Sequence, residues 1–118
     1  KGSAHYFRAY IYYCLITRWG GIPIIRKNTQ DLVYRDSPDD VWKFIEEELQ
    51  ISSDLLTSNS DYYHVSMDAV TALWARVKLS TGQNEEAAEL AESLIKNKKY
   101  GLDDFEKIFA YFKKQSFF

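Results

Sequence analysis

Apolar residues recur at intervals of three and four along most of the chain, in runs separated by short polar or glycine-marked breaks. The first run, from about Ser3 to Trp19, is apolar on two sides. Ala4, Phe7, Ile11, Cys14, Leu15 and Trp19 make one stripe, and Tyr6, Tyr10, Tyr13 and Ile16 make a second. Two stripes predict a helix buried between neighbours, with Ser3 as its N-cap. Gly20-Gly21 ends it and Pro23 prevents its resumption. Ile22-Pro23-Ile24-Ile25 then reads as extended, and residues 26–36 as polar loop.

The second run has a sharper start. Ser37 is placed to cap, Pro38 to take the first helical position, and Asp39 and Asp40 to fill the positive first turn. Val41, Ile45, Leu49, Ser52 and Leu56 form its stripe, widened by Trp42, Phe44 and Leu55, and it ends near Leu56. A third helix runs from an N-cap at Ser66 to about Thr81. It has Val70, Leu73, Trp74 and Val77 on one face and Ala69, Ala72, Ala75 and Leu79 on another, mostly small, face. Gly82 fits the left-handed position after it. A fourth helix spans Asn84 to about Asn97 with Ala87, Leu90, Ala91, Leu94 and Ile95 as its stripe. Tyr100-Gly101-Leu102 breaks the pattern, and Asp103 caps a short last helix carrying Phe105, Ile108 and Phe109. No element is assigned from Lys113 to Phe118.

The third and fourth helices form a hairpin with a very short corner. Ala75, Gly82 and Ala87 fall at the small positions of a tetratricopeptide repeat, a helix pair of about 34 residues. Ala75 and Ala87 are therefore expected at close helix crossings. Lys78 departs from the pattern, standing where an aromatic is usual, and no proline closes the unit. The first two helices form a similar pair with a longer connection. The fold expected is all-α: tetratricopeptide-like helical hairpins, two pairs plus a short fifth helix, forming one helical-repeat segment over residues 1–118.

Composition narrows the function. Of 118 residues, 46% are hydrophobic and 16% aromatic, which excludes a disordered chain. Net charge is −2 with the two signs interspersed, which argues against nucleic acid as a partner. Lys96, Lys98 and Lys99 cluster at a helix C-terminus, where they complement its dipole. Cys14, the one cysteine, excludes an internal disulfide and reads as a buried thiol. No apolar run reaches the roughly 18 residues of a membrane span, and no signal peptide is visible. Lys1-Gly2-Ser3 leads straight into helix, so the chain reads as a piece of a longer protein.

No catalytic constellation stands out, and no cofactor is expected. His5 and His64 have no cysteine or carboxylate at metal-ligand spacing. His5 reads as an exposed first-turn residue and Glu46-Glu47-Glu48 as a solvated helix face. Gly20-Gly21 precedes no helix N-terminus that could cradle a phosphate, and no Gly-x-Ser-x-Gly occurs. Arg8 and Arg76 sit among apolar residues, where a guanidinium that bonds across packed helices is the favoured role. Tyr34, Tyr62 and Tyr63 lie in predicted loops and are the candidate ligand-binding rings. Sugar faces stack on such rings, although each could also fold back over the helices.

The order of these segments resembles the SusD/RagB-like nutrient-binding lipoproteins of the Bacteroidetes outer membrane. The matching segments are Arg8-Ala9-Tyr10 in an aromatic helix, the Gly20-Gly21-Ile22-Pro23 exit, Tyr34-Arg35 in the loop, and the Ser37-Pro38-Asp39-Asp40-Val41-Trp42 start. They continue with Ala75-Arg76-Val77, Gly82-Gln83, the Ala88-Glu89-Leu90-Ala91-Glu92 helix and the Lys99-Tyr100-Gly101-Leu102 turn. The resemblance covers roughly Ser3 to Phe109, and family members are several times longer. It implies the helical framework of a cell-surface lipoprotein that is not an enzyme. The parent would bind an oligosaccharide or other nutrient and act as a lid on a TonB-dependent, SusC-like transporter. Loops outside this segment would supply most sugar contacts. A generic tetratricopeptide-type protein-interaction scaffold is the first competing reading, and an enzyme whose active site lies elsewhere in a longer chain is the second.

Overall fold

The structure is a computed structural model that describes residues 1–56, 63–97 and 99–115, the stretch 111–115 as backbone. It contains α1 (Gly2–Trp19), α2 (Pro38–Leu55), α3 (Met67–Ser80), α4 (Asn84–Lys96) and α5 (Phe105–Gln115). Among the described residues all regular structure is helical. The expected two hairpins plus a fifth helix are present, and α5 is longer than the sequence pattern suggested.

Three helix boundaries follow from side chains the sequence displays. Ser37 Oγ accepts the Asp40 N–H at 3.2 Å, with Pro38 opening α2. Ser66 Oγ accepts the Ala69 N–H at 3.2 Å at the start of α3. Gly82, at φ +79°, carries the α3–α4 corner. The Gln83 N–H reaches the Lys78 carbonyl at 2.9 Å and the Gly82 N–H the Leu79 carbonyl at 3.2 Å, the paired bonds of a Schellman turn.

The start of α1 differs from expectation. Ser3 lies inside the helix, because the Lys1 carbonyl already accepts the Ala4 and His5 N–H groups at 3.0 and 3.2 Å. The cause is tertiary. Gly2 is buried against α2, its carbonyl accepts Ser52 Oγ at 2.8 Å, and a Cβ there would meet Leu56 Cγ at 2.9 Å.

The core lies between α1, α2 and one face of α3. Tyr12 meets Phe44 edge-on at 4.9 Å, and Ile45, Leu49, Val70 and Val77 fill in around them. Phe44, Ile45 and Leu49 are sealed from solvent, and each such side chain contributes about 1.5–3 kcal/mol. Gly2 meets Leu56, His5 meets Glu48 and Tyr12 meets Phe44, so α1 and α2 run antiparallel.

The packing of α1 corrects its predicted faces. Its buried line is Ala9, Tyr12 and Ile16, whereas Phe7, Tyr10, Ile11 and Trp19 stay largely exposed. A helix apolar on every side carries almost no phase information, and α2 selects the line that interlocks with Phe44. The small positions of the second hairpin also split. Ala87 is buried and Ala75 half-buried, and both line a groove that is open on one side.

Candidate functional site

Glu48 is the chemically distinctive residue of the first hairpin. It sits on the apolar line of α2, one turn after Phe44 and Ile45, and is sealed from solvent. Its carboxylate accepts Arg8 Nε at 2.8 Å, Arg8 Nη2 at 2.6 Å and His5 Nδ1 at 2.7 Å. Burial alone would push its carboxyl up; the hydrogen bonds and charges of Arg8 and His5 outweigh that and hold it below its ordinary value. The bond to Glu48 raises the Arg8 guanidinium in turn. His5 is therefore not the exposed first-turn residue expected, and Glu48 is not part of a solvated face. The expected structural role of Arg8 is the one the geometry gives.

The clasp reaches the exit of α1. Arg8 Nη1 donates to the Arg26 carbonyl at 3.1 Å, and the Arg8 and Arg26 guanidiniums both lie over the Phe44 ring, at 5.4 and 4.8 Å. Gly20, at φ +69°, turns the chain, and Gly21 lets it pass Asp36. A Cβ at residue 21 would stand 2.4 Å from the Asp36 carbonyl oxygen. The Asp36 carboxylate accepts the Ile24 N–H at 2.7 Å, and Tyr12 Oη accepts the Ile25 N–H at 2.8 Å. Both ends of the 26–36 loop are thus held by named bonds.

The loop carries Tyr34, which is 81% exposed. Tyr63 is 86% exposed and lines a separate cleft of about 390 Å³ with Ser3, Phe7, His64 and Val65. Tyr34 is not among the residues that line this cleft. Tyr62 lies outside the described residues. Among the described residues no group of histidine, cysteine and carboxylate side chains could hold a metal, and no helix is long and apolar enough to cross a membrane.

The second hairpin is tied differently. Lys78, where the repeat pattern would have an aromatic, pairs with Glu46 of α2 at 3.1 Å and Glu86 of α4 at 2.9 Å. Burial would lower its ammonium, but the two carboxylates prevail and raise it. Arg76 lies over the Tyr13 ring at 5.4 Å, joining α3 to α1. Both sites bond helices together, and neither presents a cluster of free polar groups.

Antiparallel helix pairs with Ala-lined and Gly-turned corners define a tetratricopeptide-like scaffold. The chain belongs to the SusD-like family: residues 1–79 match the family described as starch-binding and associating with the outer membrane. Among solved structures it is similar to Bacteroides fragilis NanU, at 26% identity and a TM-score of 0.77, over 91% of this chain and 24% of that one. It is also similar to a SusD-like protein of Bacteroides fragilis NCTC 9343, at 25% identity and a TM-score of 0.73, over 87% and 21% of the two chains. A laminarin-binding SusD-like protein shares the fold at 23% identity and a TM-score of 0.73, over 88% and 24%. The chain therefore spans under a quarter of the length of each of these three relatives. Comparison with curated proteins finds no match.

Proposed function

We propose that this segment is the helical framework of a surface-exposed lipoprotein that captures an oligosaccharide or other nutrient and delivers it to a TonB-dependent, SusC-like transporter. The family's description as starch-binding and outer-membrane-associated supports this reading, as does the laminarin-binding relative. No bond is made or broken in such a role. The observation that carries the framework part is how the aromatics and charges are used. Tyr12 and Phe44 form the core, Tyr13 and Trp42 pack edge-on, and Arg8, Glu48 and Lys78 join helices. A sugar site needs several convergent polar groups beside its rings, and the cleft that Tyr63 lines does not include Tyr34.

Tyr34, Tyr62 and Tyr63 remain the proposed ligand-facing rings of this segment, as contributors to a site completed elsewhere in the parent protein. Isothermal titration with plant, host and microbial glycans tests this. The parent should bind its glycan saturably, and the 118-residue chain should bind negligibly. Saturable binding by the chain, abolished by Tyr63→Ala, would move the ligand site into this segment. Co-purification of the parent with a TonB-dependent transporter tests delivery separately, and failure to associate counts against it.

A further inference from the structure

The α3–α4 hairpin leaves an apolar groove open on one side. Ala75 and Leu79 of α3 and Ala87, Ala88 and Ala91 of α4 line it together with Arg76 and Asn84, around a volume of about 360 Å³. Leu79 is 63% exposed at one end, and Ile95, one turn beyond Ala91, is 76% exposed at the other. Next in the chain comes α5, whose Phe105 and Phe109 meet edge-on at 4.7 Å and, with Ile108, are 42–75% exposed. Small alanine side chains leave room for bulky ones, and both the groove and the aromatic stripe are exposed among the described residues.

The link between them is anchored on the first turn of α3. Tyr100 Oη donates to the Asp68 carboxylate at 2.7 Å, and Lys99 Nζ lies 3.4 Å from the same oxygen. Asp68 lies on the same face of α3 as Ala72, Ala75 and Leu79, at successive helical turns. From Tyr100 to Phe105 the chain can span about 16 Å. Gly101 has open space around it, so it can turn the link without a clash. The lengths agree as well: the 11 residues of α5 and the Asp68-to-Leu79 stretch of α3 each measure about 16 Å along the axis.

We propose that α5 is a strap that closes onto the α3–α4 groove, seating Phe105, Ile108 and Phe109 over Ala75, Ala88 and Ala91. Closed, it forms the third helix layer and shields Leu79 and Ile95. Open, it exposes a groove fitted to an amphipathic helix with aromatic anchors. The Tyr100–Asp68 bond keeps the strap at the groove in either state.

Hydrogen–deuterium exchange on the full chain tests this. The amides of 105–110 should be protected, and Ala91→Arg or Phe109→Asp should each speed their exchange about tenfold or more. The α1 and α2 amides should stay unchanged, which checks that each variant folds. Ala91 is an exposed helix position and arginine is a good helix former, so that variant should keep α4. Unstructured exchange rates at 105–110 in the unmodified chain, or rates indifferent to both substitutions, would overturn the proposal. Protection that appears only at high protein concentration would overturn it too, by assigning the groove to a second copy.

Discussion

The two hairpins are the same supersecondary unit held together by different physics. The α1–α2 pair interlocks large side chains, Tyr12 against Phe44, around a sealed carboxylate bonded to Arg8 and His5. The α3–α4 pair approaches through alanines, turns on one glycine, and buries a single α4 residue, Ala87. In the first, a long connection is acceptable because named bonds hold its ends; in the second, the short corner itself fixes the geometry. Helix pairing thus depends either on specific side-chain complementarity or on backbone proximity, and each should fail to different substitutions.

The largest expected loss is at the clasp. Glu48→Ala should destabilise by about 2–3 kcal/mol, less than a fully buried pair because Arg8 and His5 keep partial access to water. Chemical denaturation of both proteins measures it. The fold holds the Glu48 carboxyl below its unfolded value, so its contribution is complete above about pH 4.3. It is lost as pH falls further, through the depressed folded value. The stability gap between parent and variant should therefore shrink on acidification across that window; a pH-independent gap would mean that Glu48 acts by packing alone.

At the second hairpin's corner, Gly82→Val should cost about 1–3 kcal/mol, since a β-branched residue is strained at φ +79°. No neighbouring atom stands within 4 Å of a Cβ there, so the cost is conformational rather than a clash. Gly82→Asn should recover part of the lost unfolding midpoint, and equal losses for both would contradict a purely backbone cause.

The smallest and most discriminating pair lies on the alanine faces. Ala87→Leu, at a buried position, should overpack by about 1–3 kcal/mol, whereas Ala75→Leu, at a half-buried one, should lower the midpoint less. Reversal of that order would show that Ala75, not Ala87, stands at the tighter helix contact.

The caps, the glycine corner and the α2 stripe were legible in the sequence because each is a local chemical choice: Ser37, Ser66, Gly82, and Val41-Ile45-Leu49. The buried face of α1 was not, because a helix apolar all round does not say which side a partner will take. Glu48 was hidden by its neighbours Glu46 and Glu47. The signal existed in its place on the Val41–Ile45–Ser52 line, where a charge demands a partner, and Arg8 on α1 was the available cation. The family resemblance rested on segment order, which survives where individual motifs are weak. The candidate rings were legible only as loop residues, since neither spacing nor composition says which loops share a surface.

The three fastenings of the α1–α2 connection have a consequence for variation. Gly21 passing Asp36, the Asp36 carboxylate on the Ile24 N–H, and the Arg8 bond to the Arg26 carbonyl fasten the loop where it leaves the helices. Residues 27–35 between these anchors are all exposed. Their length is decoupled from the helices, and doubling such a loop costs only about 0.6 kcal/mol in closure entropy. The segment is a socket: different insert sequences can be exchanged at Lys27–Arg35 while the clasp beneath stays the same.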